Sequence, residues 1–157
     1  MAKSMEIMEE DWDTLIILDV CRYDYFKRVY QDYLKGALRK IISPGAYTHE
    51  WVDEVFGNKE FDDVVYVSAN PHINSKGVTR PGYDFNPRKS FHKVIDAWDW
   101  GWDEELGTVH PKGVSKAAGM ARARYPRKRL IAHFMQPHTV SNCGGRTDYD
   151  HLSKGRN

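Results

Sequence analysis

The chain has 157 residues, the length of one ordinary domain, and 41% of them are hydrophobic, enough for a packed core. No stretch approaches the roughly 20 apolar residues of a membrane span, and Met1-Ala2-Lys3-Ser4 lacks the apolar region of a signal peptide, so a cytoplasmic protein without a membrane partner is expected. With 23 basic and 22 acidic residues the net charge is +1, which gives no reason to expect nucleic acid as a partner.

Residues 1–12 are polar and acidic. Thr14-Leu15-Ile16-Ile17-Leu18-Asp19-Val20 follows, an apolar run rich in branched side chains that reads as a buried parallel strand. Phe26, Val29, Tyr30, Tyr33 and Leu34 then recur at helical spacing, and Gly36 fits a C-cap. A second strand is predicted over residues 38–42, broken by Ser43-Pro44-Gly45. A helix is predicted over residues 48–56, stopped by Gly57. Residues 64–68 read as a third strand, closed by Asn70-Pro71. Residues 71–90, with several Pro, Gly and Asn, read as a long excursion loop. Residues 93–98 fit either a short strand or a helical turn. An Ala-rich helix is predicted over residues 112–125 after Pro111, and a fourth strand over residues 129–135, closed by Gln136-Pro137-His138. Residues 139–157 have no apolar periodicity and read as a poorly ordered polar tail on a single domain, 1–157.

The order β-α-β-α-β-loop-α-β predicts an α/β fold with a mainly parallel sheet and helices on both faces. Ligands in such sheets bind outside the carboxyl ends of the strands. Four stations therefore stand out: residues 19–24, 43–48, 70–72 and 133–138.

Asp19 ends an apolar strand, where a carboxylate can hold a cation or simply cap the next helix. Arg22 can pair with Asp19 or Asp24, or with a substrate phosphate or sulfate. Thr48 stands where a helix begins. A hydroxyl there is an N-cap, or a nucleophile beside backbone N–H groups that suit an anion. As a nucleophile it would need activation, most simply by a metal ion. His138 lies just past the last strand and can ligate a cation. His133 falls within that strand and reads as a satisfied core histidine. His49, His72, His92, His110 and His151 are scattered and read as structural or exposed. Cys21 has no His or Lys poised nearby to lower its pKa and reads as a small buried residue. Cys21 and Cys143 are too far apart for a C-x-x-C pair. Arg122, Arg124, Arg127, Lys128 and Arg129 read as the solvated end of a helix, suited to its dipole.

Taken together, three of these stations resemble the alkaline phosphatase superfamily, in its sulfatase-like and nucleotide-phosphodiesterase-like branches. Ile16-Ile17-Leu18-Asp19-Val20-Cys21-Arg22-Tyr23-Asp24-Tyr25 looks like the family's apolar strand, metal-binding Asp and Arg-x-Asp-Tyr helix start. Ser43-Pro44-Gly45-Ala46-Tyr47-Thr48-His49-Glu50-Trp51 looks like its nucleophile segment, with Thr48 in the nucleophile's place. Leu130-Ile131-Ala132-His133-Phe134-Met135-Gln136-Pro137-His138 looks like the strand that ends in Pro-His. The likeness spans residues 12–138. It implies a three-layer α/β/α sandwich and a hydrolase of phosphate or sulfate esters. Its divalent metal (zinc, manganese or calcium) would be held by Asp19 and Thr48, with Thr48 catalytic and Arg22 and His138 binding substrate.

The chain also departs from the family. The Cys-x-Pro-x-Arg segment of true sulfatases is absent, which argues against a formylglycine mechanism. The later segment that supplies an Asp-His pair and a further His has no counterpart, and Asp150-His151 has no apolar strand before it. The resemblance thus implies a truncated representative. Two other readings stay open: a catalytically incompetent relic or binding protein, and a plain doubly wound binder of nucleotides or small molecules. The latter lacks Gly-x-Gly-x-x-Gly or P-loop support. An apolar surface left uncovered by a missing half would favour a homodimer.

Overall fold

The computed structural model describes residues 6–57, 59–77 and 85–138. The expected polar tail, Asp150-His151 and part of the predicted excursion loop lie outside the described residues. Four strands form one wholly parallel sheet: β1 (Thr14–Leu18), β2 (Phe61–Ser68), β3 (Phe91–Asp96) and β6 (Arg129–Phe134), in the order β1-β6-β2-β3. The helices of substance are α1 (Tyr23–Tyr33), α2 (Thr48–Val55) and α5 (Pro111–Arg124). Single turns α3 (Pro87–Ser90) and α4 (Ala97–Trp100) flank β3, and a small antiparallel pair, β4 (Trp102–Asp103) with β5 (Thr108–Val109), precedes α5. The predicted α/β class and parallel sheet are both present.

The central strands read as continuous apolar runs because both of their faces are covered. On one face, Leu15, Ile17, Val64, Tyr66, Val94 and Ile131 pack with Val52 and Phe56 of α2 and with Ile7 and Met8 of a 3-10 turn, Ile7–Glu9. Phe56 organises this side, its ring centroid 5.0 Å from that of Phe91, 5.5 Å from Trp51 and 6.0 Å from Tyr66. Burying a side chain of that size contributes about 1.5–3 kcal/mol. On the other face, Val65, Val67 and Leu130 pack with Val114, Ala117 and Ala121 of α5 and with Ala97 and Trp98 of α4.

Cover thins toward the β1 edge. Ile16 of β1 is 60% exposed on the face that α5 covers further in, and α1 buries none of its residues although its apolar side chains keep helical spacing. Residues 38–42 do not form the predicted strand; only Ile42 makes an isolated bridge. Among the described residues no layer covers a further strand beside the edge strand, so Ile41 and Ile42 stay exposed, and the nearby Arg39 turns to pair with Glu10 at 2.9 Å.

Two other expectations change. β2 starts three residues earlier than predicted, because Phe61 pairs with Phe91 and stacks on it across a register shift. The basic cluster is not merely a solvated helix end. Arg122 donates to the carbonyls of Lys128 and Asp13 and to Thr14 Oγ1, each within 2.8 Å, which fixes the start of β1 to the approach to β6. Arg129 pairs with Asp63 at 2.6 Å and lies over the Trp12 ring, with 4.5 Å to the centroid.

Candidate functional site

The site grows out of the α2 face of the core, one layer above its apolar part. Val52 and Phe56 sit four residues apart on the buried face of α2, so Thr48, four residues before Val52, shares that face one turn nearer the N-terminus. On β6, Ile131 belongs to the core and His133, two residues on, shares its face; Ile17 of β1 is its partner in the ladder. Asp19 comes two residues after Ile17, and its N–H still donates to the carbonyl of Phe134 at 3.1 Å. The apolar layer thus gives way, at the carboxyl end of the sheet, to Asp19, His133 and Thr48. A cavity of about 770 Å³ opens there, lined by these residues together with Cys21, Arg22, His49, His72 and His138.

Turns on each element deliver the side chains. The Cys21 N–H donates to the carbonyl of Leu18 at 3.3 Å, closing a tight turn in which Val20 has φ +57°. A branched residue in that left-handed region is strained, and such strain concentrates at functional sites. The turn holds Asp19 at the cavity. At the other end of the edge, the His138 N–H donates to the carbonyl of Met135 at 2.9 Å over a cis Gln136–Pro137 bond. Gln136 Nε2 donates to the carbonyl of Val109 at 2.9 Å and ties this turn to β5.

The entry to α2 is equally defined. Tyr47 is the N-cap and makes no side-chain cap, so Thr48 is the first helical residue and the N-cap reading of Thr48 does not hold. Glu50 reaches back to accept from the N–H of Ala46 at 2.9 Å. Gly45 lies so close to the helix that a Cβ there would stand 2.3 Å from the Trp51 nitrogen and 2.7 Å from its Cα. The Thr48 hydroxyl has no side-chain hydrogen bond among the described residues.

Two polar atoms of the cavity wall are buried without a hydrogen-bond partner among the described residues: Asp19 Oδ2 and His138 Nδ1. Burial pushes the Asp19 carboxyl above the ordinary carboxylate range, against the opposing pull of the neighbouring His138 and of the Val20 N–H. An unpartnered carboxylate oxygen beside an unpartnered imidazole nitrogen is costly unless a ligand completes it. Among the described residues no three His, Cys, Asp or Glu side chains converge as a metal-binding group. Asp19 Oδ2 and His138 Nδ1 together are two donors, one short of such a group, and a cation held by them would take its other ligands from water, substrate or a hydroxyl. The pair does not furnish the donors of a second metal.

The other predicted residues fall differently. Arg22 lines the cavity but forks onto Asp24, at 3.0 and 2.8 Å, on the exposed rim. Cys21 is a half-buried free thiol whose pKa burial raises, consistent with an inert residue. His133 is buried and bonded to Tyr66, as a core histidine should be, yet its ring also lines the cavity. His49 and His72, read from sequence as structural or exposed, line it too. The signal for both was positional, since His49 follows directly on the station 43–48 at a helix start and His72 closes the station 70–72 after β2.

No helix among the described residues is long and apolar enough to cross a membrane. No protein-family model, no curated protein and no solved structure matches the chain.

Proposed function

We propose that the chain is a metal-dependent hydrolase of phosphate or sulfate esters, built on an alkaline-phosphatase-like fold. The observation that carries this reading is the buried pair Asp19 Oδ2 and His138 Nδ1, each without a hydrogen-bond partner among the described residues, in the same cavity as Thr48. Asp19 and His138 would hold one divalent cation. Bound there, the cation would supply charge neutralisation and a lowered hydroxyl pKa.

Thr48 is the nucleophile in this reading. Its hydroxyl stands at the first turn of α2, where free backbone N–H groups and the positive end of the helix favour an anionic group next to it. Attack by Thr48 Oγ on phosphorus or sulfur forms the Thr–O–P or Thr–O–S bond and expels the alcohol. Water then releases phosphate or sulfate and restores the hydroxyl. Arg22, held by Asp24 at the rim, would reach a substrate only by leaving that partner. It is assigned no step.

A second reading is a catalytically incompetent fold that binds a ligand without turning it over. The absence of a third His, Cys, Asp or Glu donor among the described residues favours it. Hydrolysis of aryl phosphate, phosphodiester and sulfate esters, measured with added zinc, manganese or calcium, separates the two. Turnover that needs metal and disappears in Thr48→Ala and Asp19→Ala is the expected result. Folded protein that turns over none of these esters would sink the hydrolase reading and leave the binding one.

A further inference from the structure

The proposed chemistry assigns no task to His133, although its position is specific. The side chain is 2% exposed and projects from the central strand β6, on the same face as Ile131. Tyr66 Oη lies 2.8 Å from its Nδ1, and its ring forms part of the cavity wall beneath Asp19 and Thr48. Its Nε2 has no partner among the described residues. A histidine that served packing alone would satisfy both nitrogens inside the core, since an unpaired buried N–H is costly. Here one nitrogen is satisfied by the core and the other is left to the cavity.

The Tyr66 contact bears on which nitrogen carries the proton, because its donor and acceptor roles follow the ring's tautomer. A phenol O–H is a good donor and a neutral imidazole nitrogen a good acceptor, so O–H···Nδ1 is the favoured arrangement. In that arrangement the ring proton resides on Nε2. Burial also pushes the His133 pKa down to about 4, so the ring keeps this single-proton form at neutral pH.

We propose that His133 is a substrate-binding residue: Tyr66 holds its Nδ1, and its Nε2–H donates a hydrogen bond to a phosphoryl or sulfuryl oxygen that faces the Thr48 hydroxyl. The identity of the ligand rests on the hydrolase reading; the oriented donor does not. It adds recognition without charge, in a cavity whose arginines are already paired, Arg22 with Asp24 and Arg39 with Glu10.

The test is long-range nitrogen–proton NMR of the histidine rings in the full chain, titrated with inorganic phosphate in the presence of one equivalent of zinc. His133 is expected as the Nε2–H tautomer, with ring resonances that move on phosphate addition. Phosphate affinity should fall roughly three- to tenfold in His133→Phe, the loss of one neutral hydrogen bond. His133→Gln, which keeps a donor, should recover part of it. Tyr66→Phe, which keeps the packing, should lose the tautomer preference even if His133→Phe fails to fold. An Nδ1–H tautomer, or unmoved His133 resonances in a protein that binds phosphate or turns over esters, overturns the inference and leaves the hydrolase reading intact. Moving resonances without turnover of any ester keep the inference, as an oxyanion site, while the hydrolase reading falls. Folded protein that neither binds phosphate nor turns over any ester overturns both.

Discussion

The buried His133 makes a quantitative prediction about acid. Its pKa in the folded chain is lowered from the ordinary 6.5 to about 4, with burial as the cause. Between those two values the unfolded chain takes up a proton that the folded chain refuses, so stability falls as the pH falls. The contribution is fully present above about 6.5 and is lost as the pH drops through about 4. One pKa unit corresponds to about 1.4 kcal/mol, so the loss attributable to this ring is about 3 kcal/mol. Against a typical domain stability of about 5–15 kcal/mol, that is large enough to measure. Asp19 works in the opposite sense. Its raised pKa means the folded chain holds the proton more tightly, so its contribution is present below the unfolded value of 3.8 and is lost as the pH rises through the folded one. Comparison of the natural chain with His133→Gln cancels Asp19 and all other shared groups. Urea denaturation followed by tryptophan fluorescence, at half-unit steps from pH 7 to pH 4, should show the stability gap between the two shrinking by about 3 kcal/mol. Parallel curves, with a gap constant to within about 0.5 kcal/mol, would refute the assignment of a buried, neutral His133.

Three further outcomes test the construction of the site. Asp19→Asn should raise stability at pH 7 by about 1 kcal/mol, because it removes the charge of a largely buried carboxylate whose Oδ2 has no hydrogen-bond partner among the described residues, and should abolish metal-dependent turnover; a lower melting temperature would contradict this. Val20→Gly should also stabilise, by about 1 kcal/mol, since a left-handed backbone costs glycine little and Val20 is 64% exposed. A destabilised variant in chemical denaturation would show that the turn holds no such strain. Gly45→Ala should cost about 1–3 kcal/mol, because the new methyl meets helix backbone that cannot yield, and should weaken any Thr48-dependent activity at the same time. A change smaller than about 0.5 kcal/mol in the same assay would mean that the close approach of residue 45 to Trp51 is not maintained in solution.

Much of the fold was legible in the chain because local pattern and burial agree there. The branched run at residues 14–18, the apolar run ending at Ser68 and the one ending at Phe134 are strands whose composition matches their place in a parallel sheet. Gly57, at φ +51°, stops α2 where its sequence position suggested. Local pattern failed where cover was missing. Residues 38–42 carry Ile41 and Ile42, but a strand also needs a ladder partner and a covered face, and no periodicity reports either. The β4–β5 pair was equally silent. It depends on Asp103 Oδ1 accepting from the N–H groups of Glu105 and Leu106 and on Gly107 at φ +61°.

The candidate site divides along the same line. Sequence alone located Asp19, Thr48 and His138 after strand ends or at a helix start, because those positions follow from the alternation of strands and helices in one dimension. Only the tertiary structure decided what these groups lack and what they share. Asp19 Oδ2 and His138 Nδ1 come from segments more than a hundred residues apart, and their burial without hydrogen-bond partners among the described residues is a property of the assembled cavity. Likewise Tyr66 and His133 meet only because β2 and β6 are ladder neighbours, and that pairing gives a core histidine one nitrogen in the protein and one in the cavity. Spacing along a chain can nominate a residue type for a position, but desolvation and hydrogen-bond partners depend on neighbours distant in sequence, which exist only once the sheet has formed.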